Sequence, residues 1–192
     1  MKRVIVLFED NDIKIVGEKP SETVKKNSAT HLQHDFRPTK NKEKGEKLGI
    51  AVAEEYIKAG GTSFSDTDSD DSHMLMQRLL LLSFVVTVAL EEHCDDDALA
   101  GIAQKSFLDT VKERAPELYA YSSDTGAFSF YYLAYRRGGD IVRRVGQTFA
   151  MLCSQDGDPI YQELGETIFC WFNAIVAQKV DEFNLQAGNS QS

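Results

Sequence analysis

Three cysteines in 192 residues, Cys94, Cys153 and Cys170, are odd in number and widely spaced, which excludes a disulfide framework and a zinc-ligand pattern. The expectation is free thiols in a reducing compartment, hence a cytoplasmic protein. Only four prolines and one tryptophan occur, and no internal repeat of fixed period is present, which disfavours a solenoid of identical units. There is no glycine-rich phosphate loop, no nucleophile elbow, no defensible Ser-His-Asp order and no Glu-x-x-His pair. The reading leans away from an enzyme, and no cofactor is implied.

Long apolar runs are also scarce. Val4–Phe8 is shorter than the roughly 7 to 15 residues of a signal-peptide core, so the amino terminus is not read as a secretory signal. The only long run is Leu79–Leu90, in which Ser83 and Thr87 alone are not strongly apolar. It falls short of the roughly 20 residues that span a bilayer. A helix apolar on every side must instead be surrounded by other helices. That predicts an all-α fold, a multi-helix bundle around a central apolar helix, with no membrane partner.

Charge divides unevenly. The net charge is −9, yet residues 1 to 47 hold 11 Lys/Arg against 8 Asp/Glu, and the remainder holds 10 against 22. An acidic body repels phosphate backbones, so nucleic acid is not the expected partner. The Lys-rich arm, with Lys25, Lys26, Lys40, Lys42, Lys44 and Lys47, is the only cluster suited to it.

Four regions follow from these patterns. Val4–Phe8 and Ile13–Val16, joined by Glu9–Asp12, read as a β-hairpin over residues 1–16. Residues 17–47 read as a polar basic arm, 48–187 as the all-α domain and 188–192 as a polar tail. Within the domain, periodicity predicts a first helix over Glu43–Ala59 and the apolar helix over His73–His93, capped by Asp70–Ser72. A further helix ends at Arg114 before Pro116, and a short one follows from Pro116. Asp140 caps another, and Asp158-Pro159 opens a long last helix. On that helix Tyr161, Leu164, Ile168, Trp171/Phe172, Ile175/Val176, Val180 and Phe183 are expected to face the core. Leu108 is expected to do so on the helix before Arg114.

Arg136, Arg137, Arg143 and Arg144 flank Gly138-Gly139 at a helix start, where guanidinium forks and free N–H groups suit a small anion or a nucleotide. Tyr132 and Tyr135 stand close by and could stack on a planar ligand. Against this, Asp140 in the cap position repels an anion.

Glu91 to Asp97 is the densest group of titratable residues, with Glu92, Asp95 and Asp96 as candidate metal ligands. Glu92-x-x-Asp95 resembles one half of the magnesium-binding pattern of all-α nucleotide pyrophosphatases; the paired Glu of the other half is missing. Arg3–Asn11 is similar to the opening strand and acidic loop of response-regulator receiver domains. That fold needs a second strand where this chain carries the helical run Leu48–Ala59. Asp66, Asp68, Asp70 and Asp71 fail as a calcium loop, since Asp71 stands where glycine belongs and Gln77 where a bidentate Glu belongs. His31 and His34 lack ligand partners at metal spacing.

The composite expectation is a protein-protein interaction or regulatory module whose partner is another protein or a second copy of itself, a homodimer. The rival is an anion- or nucleotide-binding protein, or a metal-dependent hydrolase, built on Arg136–Arg144 or on Glu91–Asp97.

Overall fold

The computed structural model describes residues 37–60, 69–121 and 125–189, all within the unit Asp35–Ser192. The segments read as hairpin and as most of the basic arm lie outside the described residues, as do Asp66, Asp68, His31 and His34. Seven helices and no strand occur among the described residues: α1 (Arg37–Gly60), α2 (Ser69–His93), α3 (Asp97–Arg114), α4 (Pro116–Tyr121), α5 (Thr125–Arg136), α6 (Ile141–Leu152) and α7 (Pro159–Asn189). The all-α class follows.

α2 behaves as its composition demands. Every residue from Leu79 to Leu90 is buried except Thr87, which is half-buried and returns its hydroxyl to the Ser83 carbonyl at 3.3 Å. Such a helix offers no face to water, and α2 accordingly touches each of the other described helices. His73–His93 is long and apolar enough to cross a membrane by length and composition, with mean hydropathy 1.7, and 72% of its most apolar window is buried inside the protein.

α1 starts six residues before the predicted Glu43, inside the stretch read as arm, and lies along α3. The helices approach closely because Gly45 and Gly49 fall one turn apart on the contacting face. A Cβ on Gly45 would stand 2.8 Å from Ile102 Cγ2, and one on Gly49 would collide with the Ala103 carbonyl. Glycine in mid-helix costs about 1 kcal/mol relative to alanine, and close backbone packing offsets it here. Tyr56 adds an edge-on ring contact to Phe107 at 5.3 Å and donates its hydroxyl to the Leu79 carbonyl at 3.3 Å, tying α1 to α3 and α2 together.

The helix ends obey their capping residues. Asp96 accepts from the Ala98 N–H at 2.9 Å, Asp140 from the Arg143 N–H at 3.1 Å and Asp158 from the Ile160 N–H at 2.7 Å. α2 differs from expectation: it begins at Ser69, so Asp70–Ser72 lie inside its first turn rather than ahead of it. Three inward assignments are also corrected. Leu108 is exposed on α3, and on α7 Leu164 and Trp171 point outward while Ile168, Phe172, Val176 and Val180 fill the core. The apolar residues of α7 cover more than one face, and among the described residues only the inner ones are buried.

Candidate functional site

The end of α2, the start of α3 and the last turns of α5 meet at the acidic cluster. Glu91 is half-buried and accepts from Gln104 Nε2 at 3.4 Å, while the same Gln104 group donates to the Thr87 carbonyl at 3.1 Å. Burial pushes Glu91 above the ordinary carboxylate value; the Gln104 bond opposes this and the nearby Asp97 charge adds to it. Glu92 is exposed and lies near the Tyr135 phenol of α5, which is pushed up first by burial and then by the Glu92 and Glu91 charges. Asp96 spends one oxygen on the α3 cap and accepts from Asn41 Nδ2 of α1 at 3.3 Å with the other. Asp95 is exposed.

These acids therefore serve different partners. Glu91 is held by α3, Glu92 lies beside α5, and Asp96 is held by the α3 backbone and α1. Among the described residues no group of three or more His, Cys, Asp or Glu side chains is placed to hold a metal ion. Cys94, between the acids, is a buried thiol pushed up to about 11, mainly by burial, with Lys44 opposing and Asp95 and Asp96 reinforcing the rise. A thiol so protonated is a poor nucleophile near neutral pH. The half-buried His93 keeps Nε2 buried without a hydrogen-bond partner.

The arginine cluster is spread along an open turn. Gly138 and Gly139 adopt φ of 67° and 75°, a left-handed conformation that suits glycine and separates α5 from α6. Arg136 lies over the Tyr132 ring at 5.6 Å, a cation–π contact that draws its guanidinium back along α5. Arg137 and Arg143 are exposed, Arg144 is half-buried beside Gly139, and the Asp140 carboxylate occupies the free N–H of Arg143 where an anion would have to sit. Of the six residues singled out, Arg136 and Tyr132 are brought into contact, whereas Tyr135 turns to Glu92 of the acidic cluster. The two sequence clusters thus share Tyr135.

One further buried group stands apart. Tyr131 of α5 is fully buried, stacked on Phe84 at 5.4 Å, with a hydroxyl that has no hydrogen-bond partner and a Cys153 thiol that burial pushes up to about 11 near it.

The outer face of α7 carries residues that the sequence pattern had turned toward the core. Ile160 is 73% exposed, Leu164 38% and Trp171 44%, while adjacent Phe172 is 0% exposed. Ile160, Leu164, Thr167, Trp171, Ala174 and Gln178 are spaced alternately by four and three residues, and Thr167, Ala174 and Gln178 are exposed as well. That is the a/d spacing of a coiled-coil seam. No charged residue occupies any of the six positions. The signal was present in the sequence as a second apolar stripe beside the inward one.

No family model, no curated protein and no solved structure matches this chain.

Proposed function

We propose that this chain is a cytoplasmic protein-protein interaction module: a helical bundle around α2 that engages a partner helix through the outer face of α7. The observation that carries the reading is the uncharged stripe from Ile160 to Gln178, exposed and in heptad spacing along one face of α7. Exposed aromatic and branched side chains aligned along a helix are costly in water and gain from a helix laid against them. Aromatic residues such as Trp171 are the residues most often found to dominate interface energies. Two buried free thiols, Cys94 and Cys153, suit a reducing cytoplasm.

The rival built on pocket chemistry draws less support. Asp140 competes for the anion position at the start of α6, and the acids at the end of α2 are distributed among three helices rather than gathered.

The test is position-dependent photo-cross-linking in the cells that make the protein. A photoreactive residue at 164 or 171 should give a discrete cross-linked product, and one at Lys105 or Glu113, exposed on α3, should not. Equal yields at all four positions, or none at any, would sink the proposal.

A further inference from the structure

Resting on that reading of α7, we infer that the partner is a second copy of this chain, docked through its own α7 in antiparallel orientation. The argument lies in the sizes of the residues along the seam. In antiparallel register Leu164 faces Ala174 of the second copy, Thr167 faces Trp171, and Ile160 faces Gln178, so that Leu meets Ala and Trp meets Thr. Facing positions that alternate large and small fill the space between two helices evenly. The parallel alternative sets Trp171 against Trp171 and Ala174 against Ala174, a clash in one layer and a void in the next. In its two central layers, Leu164 with Ala174 and Thr167 with Trp171, the stripe is therefore complementary to its own reverse.

Two consequences fix the geometry. The two-fold axis crosses α7 near Phe169, which brings the exposed Cys170 of both copies to the same flank beside the axis. Glu163, the one exposed acid on that flank, falls opposite Ala177 of the second copy rather than opposite another carboxylate. The seam is about 27 Å long at 1.5 Å per residue, which buries less than the roughly 800 Å² per partner of a standard stable interface. A dimer held by so short a seam is accordingly reversible. Its copies each carry a net charge of −9, so added salt should tighten the association by screening their repulsion.

Sedimentation equilibrium of the full chain over a range of concentration and salt, joined to cross-linking with a short bismaleimide, tests this. The expected result is a monomer–dimer equilibrium that salt strengthens, with a cross-linked dimer that disappears in Cys170→Ser. Trp171→Glu, checked for unchanged helicity and melting, should weaken the dimer by more than about tenfold. Leu164→Glu and Ala174→Lys should each weaken it, and the double variant should recover association, because position 164 faces position 174 only in the antiparallel register. Those two positions lie about 15 Å apart within one chain, too far for the new charges to pair internally. A monomer at every concentration, or a dimer indifferent to Trp171→Glu, would overturn the self-pairing. A monomer that still gives a cross-link to a different protein from positions 164 and 171 would remove the second copy and leave the interaction reading standing. A monomer with no cross-linked product would remove both.

Discussion

Gly146 of α6 and Gly165 of α7 meet without an intervening side chain: a Cβ placed on Gly165 would lie 3.0 Å from the Gly146 Cα and 2.6 Å from the Phe149 Cβ. A Cβ on Gly146 would lie 2.5 Å from the Gln162 carbonyl oxygen. This close crossing seats α6 on the inner side of α7, and the stripe from Ile160 to Gln178 is left facing outward.

Gly146→Ala should therefore cost about 1 to 3 kcal/mol, because the new methyl meets backbone that cannot step aside. Gly101→Ala on α3 is the control. A Cβ at that exposed mid-helix position meets nothing within 4 Å, so the change should gain about 0.5 to 1 kcal/mol from helix propensity. Urea denaturation of both variants checks the pair, and a neutral Gly146→Ala would refute the close crossing.

Tyr131→Phe should raise stability by on the order of 1 kcal/mol, since the substitution removes a buried hydroxyl without a partner and keeps the ring stacked on Phe84. A loss of similar size in the same denaturation experiment would mean that the hydroxyl is hydrogen-bonded in solution.

The pH dependence of Glu91 has a definite sign. Burial lifts its folded-state pKa above the ordinary 4.5, so the folded protein holds this proton to higher pH than the unfolded chain does. The associated stability is present in acid and is lost as pH rises through the folded value. Glu91→Gln should thus be more stable than the parent at pH 7, with the difference shrinking as pH falls toward 4.5. Thermal melts of the two proteins across that window measure it, and a difference that grows on acidification would contradict the assignment.

Asp96→Ala should cost about 1 kcal/mol through loss of the α3 cap, with some further loss from Asn41. Asp95→Ala, at an exposed position, should stay within about 0.5 kcal/mol. Neither variant should alter the response of the melting temperature to added magnesium. A magnesium-induced stabilisation of the parent that both variants abolish would restore the acidic cluster as a metal site.

What the sequence determined by itself was the helical class and the punctuation of the chain. Leu79–Leu90 is apolar around its whole circumference, and Asp96, Asp140 and Asp158 supply local acceptors exactly one turn or less from the N–H groups they bind, so both features survive any arrangement of the other helices. Residues whose local pattern admits two answers were assigned only by the packing of distant helices. α7 carries two apolar stripes, and nothing within 31 residues of helix says which one its own chain will cover; the crossing at Gly146 and Gly165 and the packing of α2 settle it. Glu91, Glu92 and Asp96 are near neighbours in sequence, yet the helix turn between them points each to a different partner, Gln104, Tyr135 and the α3 backbone. The physical reason is range: caps and periodicity act within a turn or two, whereas burial and side-chain pairing depend on which distant helix arrives.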